Sequence, residues 1–268
     1  MDYETFRFEK EGFVAKIIFN RTDKLNPVND KVQAEFDDIL RDLSNDTTVR
    51  VVVLTGSGRS FSVGADVDNL SKGSDPAFYG NLTDLERKRP AKMGSRICRA
   101  LEELDQITIA AINGFSVGGG FCYAISCDFR IAAASALFWI PEVDFGVPLT
   151  WGAIPRMVSQ IGPLKTKELI MTCDRFTAKE ALEIGLLNRV VPDDKLDEAV
   201  DELTQKLLSK PPMALLRTKA SVNAVVQSYG ANVAYSDPDL IMVCGSSEDA
   251  TEAVSAFLEK RTGDFKSR

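Results

Sequence analysis

There is no histidine anywhere in this chain. That gap removes the Ser-His-Asp and Cys-His nucleophilic schemes, and most zinc sites. Any proton transfer falls to Asp, Glu, Tyr, Lys, Cys or water. The five cysteines, Cys98, Cys122, Cys127, Cys173 and Cys244, show no CxxC spacing. Neither a metal site nor a disulfide framework is expected from them, and a reducing compartment, the cytoplasm, is the plain reading. No apolar run approaches the length of a membrane span. The opening MDYETFRFEKEGF is charged and acidic, unlike a secretory leader or a transit peptide. A net charge of −7 argues against nucleic acid as the main partner.

What is present is material for a large core: 268 residues, 44% hydrophobic, fit one large domain or a domain with an appendage. Residues 6–19 alternate as two strands joined at Glu11–Gly12. Val32, Phe36, Ile39, Leu40 and Leu43 keep helical spacing over about residues 29–43. RVVVLT (50–55), ITIAAI (107–112) and FRIAA (129–133) are short apolar runs suited to a parallel sheet covered on both faces. A helix interrupted near Pro90 is expected before the second of these runs, and breaks at Gly162–Pro163 and Gly185. From about residue 194 the pattern is amphipathic helix, at 194–229 and 248–261. The order predicts an α/β fold, a βαβ core with a helical tail.

Two glycine-bearing runs follow strand-like stretches: FSVGADV (61–67) and NGFSVGGGF (113–121). Gly118, Gly119 and Gly120 stand where a strand hands over to a helix, whose first N–H groups are free and partly positive. Such a run also serves a tight strand–helix crossing that needs only small residues. It does not keep the GxGxxG spacing of a dinucleotide fingerprint. In the first run Asp66 is a fair N-cap, which leaves the Ala65 N–H free. Two such donors aimed at one oxygen would make an oxyanion hole for the enolate of a thioester or a similar acyl anion.

The segments NRTDKLNPVN (20–29), SGRSFSVGADV (57–67), AAINGFSVGGGFCYAISCDFRIAA (110–133), IPEVDFGV (140–147), TAKEALEIGLLNRVVP (177–192) and AFLEKRTGDFKSR (256–268) together resemble the crotonase superfamily, the enoyl-CoA hydratase/isomerase family, over essentially the full length. The resemblance implies a crotonase-like spiral of ββα units, residues 1–200, with a helical C-terminal region, 201–268, that supports a homo-oligomer, either a trimer or a dimer of trimers. It implies an acyl-CoA thioester as substrate, with coenzyme A as part of that substrate and no permanently bound cofactor. The N–H groups of Ala65 and Gly119 would polarise the thioester carbonyl. Lys24, Leu25, Asp66 and Val67 would contact CoA, and Phe257 and Lys260 would approach the CoA of a neighbouring subunit.

The carboxylates decide the reaction. Family hydratases hold one water between two glutamates. One of these matches Glu142; the other falls on Cys122 in GGGFC. A thiol is a poor substitute for a carboxylate in orienting water. A single glutamate suffices to move a proton along an allyl system, so Δ3-to-Δ2 enoyl-CoA isomerisation stands slightly ahead of hydration. A non-catalytic acyl-CoA binding protein on the same fold is the alternative, and a Rossmann oxidoreductase is a distant third. Asp144 would share a face with Glu142 if the segment were extended. Tyr79, Tyr123 and Glu86 carry no spacing argument, and Thr150 stands where some relatives carry a catalytic aspartate. Trp139 and Trp151 read as core or as lining of the acyl pocket.

Overall fold

The structure, a computed structural model, describes residues 3–66 and 83–267. Its centre is a six-stranded sheet in the order β1-β2-β3-β5-β7-β10. Strands β1 (Phe6–Glu11) and β2 (Val14–Phe19) pair antiparallel around the expected turn. The rest, β3 (Val51–Gly56), β5 (Ile107–Ile112), β7 (Phe129–Ala133) and β10 (Arg189–Val191), run parallel. A second sheet holds four short strands, β4 (Ser60–Ser62), β6 (Phe115–Val117), β8 (Leu137–Trp139) and β9 (Phe176–Thr177). Each long strand is thus followed by a short one that crosses to the second sheet: β3 to β4, β5 to β6, β7 to β8. This is the ββα spiral.

The three apolar runs are continuous because both their faces are covered. Val51, Val53, Ile107, Ile109, Ala111, Ile131 and Ala133 pack under Leu196, Ala199, Val200 and Leu207 of α6 (Leu196–Leu208). The alternate residues Val52, Leu54, Ala110, Ile112 and Ala132 face the main core. That core is shared with α1 (Asp30–Ser44), α2 (Asp84–Glu103), α3 (Gly119–Ile125) and α4 (Ala153–Thr172). Helix α6 crosses residue 200 and belongs to the layer over the sheet.

Two local expectations are corrected, the helix break near Pro90 and the single helix over 194–229. Helix α2 runs through position 90 without a break. As expected, a strand, β6, hands over to α3 at the glycine run. The stretch 194–229 is two helices, α6 and α7 (Pro212–Tyr235), since Pro211 and Pro212 allow a helix to begin but not to continue through them. The break in α4 falls where expected: Gly162 adopts φ 75°, ψ 165° ahead of Pro163. Helices α5 (Ala178–Glu183), α8 (Asp237–Gly245) and α9 (Glu248–Glu259) complete the described elements.

A buried ion pair fastens α7 to the sheet. Lys219 Nζ lies 2.8 Å from Asp128 Oδ2 and donates to the Gln106 carbonyl at 2.8 Å. The same carboxylate oxygen accepts from the Thr108 N–H and hydroxyl. Removing one partner strands the other charge, so Lys219→Met is expected to cost about 3 kcal/mol. Asp128→Asn added to it should return much of that loss in urea melts.

Candidate active site

Three adjacent parallel strands of the small sheet, β4, β6 and β8, end side by side. Each delivers one predicted element just beyond its C-terminal end: Ala65, Gly119 and Glu142. Ligands of α/β folds bind at such strand ends. Residues too far apart in the chain to be related by spacing therefore meet in one place.

Two glycines let the backbones converge. Gly64 has φ +76°, and a Cβ there would lie 2.6 Å from the Val117 carbonyl oxygen and 3.3 Å from the Gly119 nitrogen. Gly118 has φ +49°, and its N–H donates to the Trp139 carbonyl at 3.0 Å. Side-chain-bearing residues rarely adopt such positive φ, and at Gly64 the neighbouring backbone also leaves no room for one. Beyond these glycines neither predicted donor N–H meets a backbone acceptor among the described residues. Ala65 bridges Val28, but the bridge uses the Gly64 carbonyl (2.7 Å) and the Asp66 N–H (2.9 Å) on either side of it. Ala65 is exposed between buried Gly64 and buried Asp66. Gly119 is the first residue of α3, where an N–H has no intrahelical partner.

Glu142 follows β8 and precedes a single 3-10 turn, Val143–Phe145. Its Oε1 lies 2.9 Å from the place a Gly118 Cβ would occupy. Its Oε2 is buried with no hydrogen-bond partner among the described residues. Burial raises its pKa from 4.5 to about 7. The physical cause is desolvation of an anion. A carboxylate with one oxygen unpartnered among the described residues and a pKa near neutrality can both take and return a proton.

Cys122 is buried, and burial pushes its thiol well above the usual range, with Cys98 and Glu142 adding in the same direction. It stays protonated and offers no second carboxylate. Asp144 does not share the face of Glu142, because the segment is a tight turn rather than extended chain, and Asp144 is exposed. Tyr123 is fully buried, 5.1 Å from the Phe36 ring and 5.3 Å from that of Trp151. Thr150 is buried and Glu86 caps α2. Tyr79 lies outside the described residues.

The predicted CoA stretches run alongside one another. Leu25 and Asn26 both take left-handed conformations after the turn Thr22–Lys24. The Val63 N–H donates to the Leu25 carbonyl at 3.2 Å, and the Ser62 hydroxyl to that of Asn26 at 2.7 Å. Lys24 and Leu25 are thereby held near Ala65 and Asp66. The Asp66 carboxylate lies 2.8 Å from Arg21 Nη1, a buried pairing that fixes the loop. Val67 lies outside the described residues. Phe257 packs on its own chain, 4.7 Å from Phe145 and 6.5 Å from Trp139 between ring centres. Lys260 ends α9 in a left-handed conformation and is exposed. Helix α9 therefore covers the segment that carries Glu142, and a Cβ on Gly146 would lie 2.6 Å from the Ala250 Cα.

Residue-level reading missed Asn26 and Arg156. Asn26 is buried; its amide donates to the Ser57 and Ser60 carbonyls, and its Oδ1 accepts from the Arg21 N–H. The Asn-Pro pair at 26–27 was the available signal. Arg156 donates to the carbonyls of Trp151 (3.0 Å) and Gly152 (2.9 Å) and pairs with Glu102 at 2.7 Å. Nothing local in the sequence marks it.

A double-sheet ββα spiral with converging strand ends defines the crotonase fold, and comparison with known proteins agrees. The chain matches the family described as enoyl-CoA hydratase/isomerase over residues 9–268. It is 35% identical to a crotonyl-CoA hydratase of Syntrophomonas wolfei over 269 residues, covering all of both chains. It is likewise 35% identical to a short-chain-enoyl-CoA hydratase of Clostridium acetobutylicum over 270 residues, again covering all of both. The crystal structure of an enoyl-CoA hydratase from Mycobacterium avium subsp. paratuberculosis K-10 superposes with a TM-score of 0.87 at 26% identity, covering 99% of this chain and 100% of that one. The protein belongs to the enoyl-CoA hydratase/isomerase family and is an enzyme of that family acting on CoA thioesters.

Proposed function

We propose that this enzyme isomerises short-chain 3-enoyl-CoA to trans-2-enoyl-CoA, with Glu142 as its one acid/base. The observation that carries the reading is the setting of the Glu142 carboxylate: its Oε2 is buried without a partner among the described residues, its pKa is raised to about 7, and a protonated thiol stands at position 122 in place of a second carboxylate. Ionised Glu142 takes the C2 proton. The electron pair spreads over the allyl system onto the thioester oxygen, where the Ala65 and Gly119 N–H groups receive the charge. Glu142 then returns the same proton at C4, the double bond settles between C2 and C3, and no atom is gained or lost. Lys24, Leu25, Asp66 and Val67 hold the CoA part, with Phe257 and Lys260 contributing from the tail. The working form is a trimer or a dimer of trimers in the cytoplasm, to which the exposed Val222, Val225 and Val243 of α7 and α8 lend support.

Hydration is the second reading, favoured by the names of the two full-length relatives. A paired assay separates them, with the conjugated thioester absorbance followed. Isomerisation makes that signal grow from the 3-enoyl substrate and leaves the 2-enoyl substrate intact. Decay of the 2-enoyl signal without growth from the 3-enoyl one would replace isomerisation by hydration. Binding without either change would leave an acyl-CoA binding protein.

A further inference from the structure

Trp151 is held in a conformation that a bulky residue rarely adopts. Its φ is +60°, and Gly152 after it has φ +68°. Two left-handed residues in succession, one of them an aromatic, persist only when their surroundings fix them. Here they do. Arg156, itself anchored by Glu102, donates to both carbonyls, and Asp237 from the C-terminal region accepts the Gly152 N–H at 2.7 Å.

The consequence is the position of the indole. It lies in a slot made by the lack of side chains at Gly94 and Gly119. A Cβ on Gly94 would overlap the ring, and one on Gly119 would lie 2.6 Å from its Cη2 and Cζ3 atoms. The third wall is Tyr123, tilted by 31° with ring centres 5.3 Å apart. The consecutive glycines 118 and 119 are therefore flanked by different side chains, Gly118 by the Glu142 carboxylate and Gly119 by the Trp151 indole. Trp151 is only half-buried, so part of the ring remains uncovered by the described residues. The residue whose N–H is assigned to the thioester oxygen, Gly119, is thus the one that the indole abuts.

We propose that Trp151 sets the acyl specificity of the site: its indole is the wall that stops the acyl chain, restricting the enzyme to short acyl groups. The proposal rests on the acyl-CoA assignment above and adds the residue that bounds the substrate. It is a contact made by a rigid, apolar side chain. One methylene in an apolar pocket changes discrimination by roughly 10–200-fold, so removing such a wall changes chain-length preference strongly.

The test uses Trp151→Gly, which suits the left-handed backbone, and Trp151→Phe, which keeps an aromatic packed on Tyr123. kcat/KM is measured with butenoyl-, hexenoyl- and octenoyl-CoA. Affinity for the saturated butanoyl-, hexanoyl- and octanoyl-CoA is measured by calorimetry. The octanoyl-to-butanoyl ratio is expected to rise about tenfold or more in the glycine variant and by less in the phenylalanine variant. A ratio within about twofold of wild type in a variant that keeps its circular dichroism and melting behaviour would overturn the proposal. The chain has two tryptophans, so Trp139→Phe leaves Trp151 as the sole indole reporter. Its emission should shift on binding acyl-CoA and progressively with chain length. Emission indifferent to acyl-CoA, with binding proved calorimetrically, would overturn the proposal even if both Trp151 variants failed to fold. Loss of all enoyl turnover in the wild type would instead count against the reaction, and the binding ratios would still decide the role of Trp151.

Discussion

Replacing Glu142 with glutamine is expected to lower kcat by about a thousandfold, within the range of positioned acid–base groups, while acyl-CoA affinity changes little. The substitution keeps the shape of the side chain and removes only its capacity to take a proton. The pH dependence follows from the same burial. As the proposed acid/base Glu142 has to be ionised, and its pKa is raised to about 7. Wild-type kcat/KM should therefore climb with pH through a limb centred near 7 and level off above it. Stability moves oppositely. A raised carboxylate pKa means the folded state holds the proton more tightly than the unfolded chain, so the associated stabilisation is complete below the ordinary value of 4.5 and is lost as pH rises to about 7. The glutamine variant lacks this dependence, and its melting temperature should gain on that of wild type across the window. A glutamine variant retaining more than about a tenth of the rate would remove Glu142 as the acid/base.

Gly64→Ala is expected to be nearly as damaging for a different reason. The new Cβ meets the Val117 carbonyl oxygen at 2.6 Å and the Gly119 nitrogen at 3.3 Å, both main chain, so no flexible side chain can yield. The strands must part, and the two N–H groups proposed to share the thioester oxygen are displaced from one another. Loss of an oxyanion contact lowers kcat by about a hundredfold or more. Gly12→Ala is the control: it has φ +54° but nothing within 4 Å of its Cβ. It should show backbone strain in the melting temperature, of the order of 1 kcal/mol, with unchanged turnover. Equal losses of kcat in both variants would count against the converging donors.

Some of this could be read from the chain and some could not. Strands β3, β5 and β7 were legible because burial on both faces leaves an unbroken apolar run. The second sheet was not, since strands of two or three residues carry too short a pattern, and Ser60, Ser62 and Ser116 are polar yet buried. Yet that sheet is what brings Ala65, Gly119 and Glu142 together. Those three residues were legible as segments of a family pattern, but their adjacency came from strand order. The Arg21–Asp66 pair and the Asp237–Gly152 contact join residues 45 and 85 positions apart. No local periodicity encodes such partners.

The contacts of the C-terminal region bear on the order in which the protein becomes active as it is synthesised. Gly64, Gly119, Glu142 and Trp151 all emerge from the ribosome well before Asp237, Ala250 and Phe257. The later residues seat Gly152 and cover the Glu142 segment. A nascent chain can build its two sheets early, but the site is completed last. Competence therefore waits on the helices that carry Asp237, Ala250 and Phe257, and a chain interrupted before them holds the candidate site residues without the contacts that keep them in place.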